Sequence, residues 1–310
     1  MNELDLLKRL LPALPTNDSV VLGAGDDCAV MDLGLPDRWL LFKADAVVEG
    51  VHFLADTPPE KIGRKALARA LSDIAAMAGT PTAALVTLGL PREFNPARIE
   101  AIYAGLGDCA RQHGVAIAGG ETTTNPGGVL LSIALLGWVA KDKCLRRAGA
   151  QPGDALFVTG ELGGAIAGRH LDFEPRLAEA RWLAAHGEVH AMIDLSDGLA
   201  SDLRHLLAAS GVGAELHAPA IPISRAARQA HRAAGSRKPP LLAALTDGED
   251  FELLFTAPAR GAVTLLDAWQ KQFPQLPLKC IGRITAERRI ILRDRDGVKP
   301  FPEHGYAHFA

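Results

Sequence analysis

The sequence predicts a two-domain α/β protein, on three observations. Apolar, strand-like runs that end in glycine or acidic turns alternate with segments of helical period along nearly the whole chain. At 310 residues and 48% hydrophobic, the chain is long enough to bury two separate cores. The alternation breaks once, in the turn-rich stretch from Arg146 to Asp154, which puts the boundary between domains 1–148 and 149–310.

In the first domain, Glu3 to Leu11 has the spacing of a short amphipathic helix. Cys28 to Asp32 is a strand leaving the turn Gly23-Ala24-Gly25-Asp26-Asp27, and Trp39 to Ala44 is a second strand that delivers Asp45 at its end, ahead of Glu49-Gly50-Val51-His52-Phe53. Pro58 to Ala78 carries Ile62, Ala66, Leu67, Ala70, Leu71 and Ile74 on one helical stripe, with Pro at its start and Gly79 and Pro81 at its end. Asp73 falls in its last turns, where the helix dipole disfavours an acid unless a cation answers it. Arg69 is the basic neighbour on its own helix face. A strand from Ala83 to Leu90, a helix from Pro96 to His113 and a strand from Val115 to Ala118 follow. The last of these is expected to end in a second acid-bearing glycine turn, Gly119-Gly120-Glu121, before a buried strand from Val129 to Val139.

Beyond the boundary, Ala155 to Thr159 is a strand, Gly163 to Arg169 a short helix, and the segment to His190 helical. Met192-Ile193-Asp194 is a strand running into Leu195-Ser196-Asp197-Gly198 and a helix to Ala209, with Ser196 or Asp197 as its N-cap. A fourth acidic turn, Thr246-Asp247-Gly248-Glu249-Asp250-Phe251-Glu252, enters a strand from Leu253 to Thr256. The chain closes on Gly305-Tyr306-Ala307-His308-Phe309.

The 33 basic and 36 acidic residues are mixed along the chain and leave a net charge of −3, which points away from nucleic-acid and membrane surfaces. Cys28, Cys109, Cys144 and Cys280 form no C-x-x-C pair, which argues against zinc and against a disulfide framework and suits a cytoplasmic protein. No signal-peptide pattern opens the chain. Each acidic turn taken alone reads first as a cap or a solvated loop, and His52 alone as a surface or packing histidine. Together, Asp26, Asp27, Asp45, Asp73, Glu121, Asp194 and Asp197 make a set too acidic to stand bare. Mg²⁺ is the natural counter-charge, because it takes one or two carboxylates plus substrate phosphates. That points to nucleotide chemistry, although neither a Walker sequence nor the protein-kinase H-R-D and D-F-G motifs occur.

These residues resemble the thiamine-monophosphate kinase family, within the superfamily of aminoimidazole ribonucleotide synthetase and selenophosphate synthetase. The resemblance runs through Gly25-Asp26-Asp27-Cys28-Ala29, Asp45 with Glu49-Gly50-Val51-His52-Phe53, and Lys65-Ala66-Leu67-Ala68 with Leu71-Ser72-Asp73. It continues through Gly119-Gly120, Asp194-Leu195-Ser196-Asp197-Gly198, Gly248-Glu249-Asp250-Phe251-Glu252-Leu253 and the terminal Gly305-Tyr306 with His308-Phe309. It implies an aminoimidazole ribonucleotide synthetase-like fold with mixed sheets, and direct ATP-dependent phosphorylation of thiamine monophosphate to thiamine diphosphate. By the same resemblance Asp27, Asp45, Asp73 and Asp194 are catalytic, holding Mg²⁺ with Asp26, Glu121 and Asp197. Gly120, Glu121, Arg147, Ser196 and Tyr103 are expected to face ATP, and His52, Glu249 and Tyr306 the thiamine phosphate. The first domain is expected to bind ATP and metal and to pair its sheet with that of a second subunit in a homodimer.

The chain departs from the family pattern at Lys43-Ala44, where hydroxyl residues are usual, at Glu121 in place of Asp, at Thr246-Asp247 in place of a glycine, and in a shorter segment between Gly168 and Asp194. A protonated lysine does not coordinate Mg²⁺, but its ammonium can stand where a metal would have stood. The other reading of Lys43 is a lysine turned to solvent or paired with a neighbouring acid. Two further functions fit the same motifs: another ATP-using enzyme of the superfamily, and a non-catalytic nucleotide or thiamine-phosphate binder.

Overall fold

In the computed structural model, residues 3–233 and 238–306 are described; His308 and Phe309 of the terminal motif lie outside them. Helix α1 (Glu3–Leu10) precedes a six-stranded sheet. Its strands and helices follow as β1 (Val20–Leu22), β2 (Ala29–Met31), β3 (Arg38–Val48), α2 (Pro59–Ala76), β4 (Thr80–Leu90), α3 (Pro96–His113), β5 (Ala116–Thr124) and β6 (Leu130–Ala140). The strand order is β1-β2-β3-β6-β4-β5. β4 and β5 run parallel, joined through α3, and the other neighbours are antiparallel.

α2 packs on β3, β4 and β6 and is itself covered by α3, so its buried residues go almost all the way round, from Ile62 and Ala66 to Ile74 and Ala75. The two helices meet through glycine. A Cβ on Gly63 would lie 1.8 Å from the Ile102 carbonyl oxygen, and one on Gly105 would lie 1.9 Å from that of Glu60. Only residues without a side chain allow that approach.

The second sheet is built from β7 (Asp154–Thr159), then α4 (Arg169–Asp172), α5 (Leu177–His186), β8 (Ala191–Asp194), α6 (Leu199–Ser210), β9 (Gly213–His217), α7 (Arg225–Arg232) and α8 (Pro240–Thr246). β10 (Leu253–Pro258), α9 (Ala262–Gln272), β11 (Leu278–Thr285), β12 (Ile290–Asp294) and β13 (Gly297–Lys299) complete it. Its order is β13-β12-β9-β11-β7-β10-β8, with β9 and β12 the parallel pair. Leu156, Val158, Ile193, Leu195, Leu203, Leu206, Leu254 and Ile281 form its core. Both sheets are thus mixed, as expected.

The described residues group into two compact units. One contains Asp18–Cys144 with His170–Leu177; the other contains the described residues of 3–17, Leu145–Arg169 and the described residues of 178–306. The short insertion in the first unit has a clear electrostatic cause. Lys61, and one turn later Arg64 and Lys65, on α2 reach Asp172 at 2.6 Å, Glu174 at 2.9 Å and His170 Nδ1 at 2.7 Å respectively.

Several local expectations are corrected. Gly119-Gly120-Glu121 is not a turn: β5 runs straight through it, because pairing with β4 continues from Leu85↔Gly119 to Leu90↔Thr124. Asp45 is not at a strand end, since β3 pairs with β6 without a break as far as Val48↔Leu130. The helix expected at Gly163 to Arg169 is a 3₁₀ turn, Ala165–Ala167, followed by α4. Neither Ser196 nor Asp197 caps α6. Gly198 is the N-cap and no side chain bonds there, while the Ser196 and Asp197 carbonyl oxygens accept from Glu249 and Tyr306.

Candidate functional site

In the first unit the acids gather where β2, β3 and the end of α2 meet. The segment after Asp27 docks on α2 through the Cys28 N–H, 3.2 Å from Met77 Sδ. That brings Asp27, 1% exposed, beside Asp73 one turn earlier in the helix, with a carboxylate oxygen of each within 4.8 Å of the other. The Asp26 carboxylate accepts the Asp27 N–H at 2.9 Å.

Lys43 and Asp45 point to the face of β3 that α2 covers. Lys43 Nζ lies 2.8 Å from Asp73 Oδ1, and Arg69 Nε lies 3.1 Å from Asp45 Oδ2. Of the two readings of Lys43, the structure shows the one in which it pairs with a neighbouring acid, Asp73, while Arg69 on the same helix as Asp73 pairs with Asp45. Burial works against the Lys43 ammonium, but the carboxylates of Asp73 and then Asp45 outweigh it and hold its pKa above the ordinary lysine value.

His52 sits in the turn after β3. Its Nδ1 accepts the Val48 N–H at 3.1 Å, so the neutral ring carries its proton on Nε2 and offers a donor there. Its carbonyl oxygen accepts from Lys65 Nζ at 2.6 Å. Glu49, next to the turn, accepts the Val129 N–H at 2.9 Å and pairs with Arg98 at 3.3 Å. Tyr103 is half-buried on α3, and burial raises its phenol. Gly120 and Glu121 lie on exposed β5, where the Glu121 carboxylate accepts the Thr122 N–H at 3.0 Å.

In the second unit, Asp194 ends β8, 4% exposed, and the following loop carries Ser196 and Asp197. Two segments clasp that loop. From one side Glu249 N donates to Ser196 O at 2.6 Å and Phe251 N to Leu195 O at 2.8 Å. From the other, Tyr306 N donates to Asp197 O at 2.9 Å. Gly305 makes the second contact feasible, because a Cβ there would fall 2.0 Å from the same oxygen.

Glu249 and Phe251 hold φ values of 56° and 51°, which L side chains rarely adopt. The strained turn is fixed by Asp250, 2% exposed, whose carboxylate accepts from Gly163 N at 2.9 Å and from Arg169 Nη2 at 2.5 Å. Burial, against Arg169 and the Gly163 amide and with Glu252, moves Asp250 up to about 7. Asp202, on the first turn of α6, accepts the Asp197 N–H at 3.1 Å. Burial first, then Asp197 and Asp194, push it well above the carboxylate range, with Arg147 opposing. Arg147 is half-buried, its carbonyl oxygen held by Ser210 Oγ at 3.1 Å.

Carboxylate oxygens are hard donors, and the buried Asp27 and Asp73 suit a divalent ion such as Mg²⁺. The family model described as AIR synthase related protein, N-terminal domain, matches residues 25–139, and the corresponding C-terminal domain matches 151–295. The thiamine-monophosphate kinase of Rhodopirellula baltica is 41% identical over 297 residues, covering 93% of this chain and 92% of that one.

This chain belongs to the thiamine-monophosphate kinase family.

Two solved structures of the family align with it over almost the full length. AaThiL complexed with AMPPCP and TMP is 29% identical with a TM-score of 0.81, covering 99% of this chain and 97% of that one. The thiamine-monophosphate kinase of Stenotrophomonas maltophilia is 34% identical with a TM-score of 0.73, covering 94% and 96%.

Four residues of this family member that support the site were not singled out from sequence for that purpose: Lys65, Arg169, Asp202 and Asp250. A lysine inside the apolar stripe of α2 was the available signal for Lys65, and an acid on the first turn after Gly198 was the signal for Asp202. Nothing local marks Arg169, whose partner is 81 residues away.

Proposed function

We propose that this kinase transfers the γ-phosphoryl group of ATP to the phosphate of thiamine monophosphate, giving thiamine diphosphate and ADP. The bond from the γ-phosphorus to the ADP oxygen breaks as a bond to an acceptor phosphate oxygen forms, without a covalent enzyme intermediate. The observation that carries this reading is the full-length likeness to AaThiL complexed with AMPPCP and TMP.

In this reading Asp27, Asp45, Asp73 and Asp194 hold Mg²⁺, with Asp26, Glu121 and Asp197 completing the set. Mg²⁺ bound there supplies the positive charge that the transferring phosphoryl group needs. Gly120, Glu121, Arg147, Ser196 and Tyr103 bind ATP. His52 gives its Nε2–H to the acceptor phosphate, Glu249 faces the same substrate, and Tyr306, 46% exposed, offers an aromatic face to the cationic thiazolium.

The domain spanning 1–148 binds ATP and metal and pairs as a homodimer, and 149–310 forms the second domain. Exposed Phe42 and Leu85 on the six-stranded sheet and the exposed edge strand β5 support the pairing. The cysteine usage supports cytoplasmic residence. Among the described residues no helix is long and apolar enough to cross a membrane. The test is ADP release measured with thiamine monophosphate and with thiamine. Release with the first alone supports the reading, and release with neither overturns it.

A further inference from the structure

β3 and α2 face each other with their charges in opposite order. Lys43 and Asp45 are two residues apart on one face of the strand, and Arg69 and Asp73 are four apart on the helix, so the pairs close crosswise. Both pairs are largely withdrawn from water. Their side chains are 24% and 10% exposed for Lys43 and Asp73, and 14% and 19% for Arg69 and Asp45. Asp27 lies within 4.8 Å of Asp73, and of Asp27, Asp45 and Asp73 two already hold a fixed cation.

Lys43 is rooted mid-strand, bonded in register to Leu135, while its neighbour Phe42 pairs with Ala29 on the other side. The stem therefore starts from a fixed point and delivers a compact charge to Asp73 Oδ1. Mg²⁺ approaches a carboxylate oxygen to about 2.0–2.1 Å, and a second cation already hydrogen-bonded to that oxygen opposes it.

We propose that Lys43 is a built-in cation of the metal site: its ammonium occupies at Asp73 the place of a divalent ion, and the chain binds one ion fewer than its carboxylates would otherwise take. This rests on the reading of Asp27 and Asp73 as metal ligands.

The test uses Mn²⁺ alone, without nucleotide, counting bound ions by electron paramagnetic resonance and following thermal unfolding in chelator and in Mn²⁺. Lys43→Ala should bind about one more Mn²⁺ per chain than wild type, or bind its tightest ion about tenfold better. It should also melt lower in chelator and recover when Mn²⁺ is added. Lys43→Arg should count like wild type, and Lys43→Met, which keeps the stem and loses the charge, should follow Lys43→Ala and serves if the latter does not fold. The proposal is overturned if the neutral variants bind the same number of ions at wild-type affinity, or if Mn²⁺ leaves their lowered melting unchanged. Wild-type ADP release is measured alongside. Its absence with thiamine monophosphate overturns the functional reading, while the Mn²⁺ count still decides the role of Lys43.

Discussion

The Tyr306 amide donates to the Asp197 carbonyl oxygen at 2.9 Å, which ties the last described residues of the chain to the loop that follows Asp194. The backbone makes this tie, and Tyr306 is 46% exposed. Tyr306→Ala should raise KM for thiamine monophosphate about tenfold, equivalent to about 1.4 kcal/mol, with little change in KM for ATP. Steady-state kinetics with each substrate varied in turn checks this; equal changes in both constants, or lost stability with unchanged selectivity, would count against an aromatic contact with the acceptor.

Asp73 carries a second expectation. With a metal as its partner during turnover, Asp73→Asn should lower kcat by a factor of about 100 or more, and a chelator should abolish wild-type activity. The same change weakens the Lys43 pair, so a stability loss of about 1–3 kcal/mol is expected as well. Circular dichroism separates the two effects. A folded Asp73→Asn with full activity would falsify the catalytic assignment.

Asp250 makes stability depend on pH. Its carboxyl titrates at about 7 in the folded chain, against about 3.9 in an unfolded one, so between those values the folded protein holds more protons. Its stabilising contribution is complete below about pH 4 and is lost as pH rises through about 7. Asp250→Asn removes this dependence. The stability of the variant relative to wild type should therefore improve by about 2 kcal/mol from about pH 5 to pH 8 in denaturant titrations. A difference that stays flat, or runs the other way, would contradict the burial argument.

Lys65 is fully buried and donates to the His52 carbonyl oxygen. Lys65→Met keeps the stem and removes this donor. It should cost about 1–3 kcal/mol of stability and raise KM for the acceptor more than for ATP, because the His52 turn loses its anchor. Lys65→Arg, which keeps a cationic donor, should recover part of the acceptor affinity. Stability loss with unchanged KM would make Lys65 purely structural.

Some of this was legible in the chain as written. Helical periods located α2 and α3, apolar runs located most strands, and the acidic motifs from Gly25-Asp26-Asp27 to Gly248-Glu249-Asp250 supplied the candidate site residues, because each is carried by residues adjacent in sequence. Other features were hidden where a local signal conflicted with a distant partner. Gly119-Gly120 reads as a turn, yet hydrogen bonding to β4 keeps it extended. Asp45 reads as a strand end, yet β6 continues the ladder past it.

Sequence by itself determined the composition of the candidate site: which carboxylates, glycines and aromatics are available, and on which helices or turns most of them fall. Tertiary structure decided which charge answers which. Lys43 meets Asp73 across 30 residues, Lys65 meets His170 across 105, and Arg169 meets Asp250 across 81. The physical reason is that an ion pair depends on separations of a few ångströms, and only sheet order and helix packing set those separations for residues so far apart along the chain.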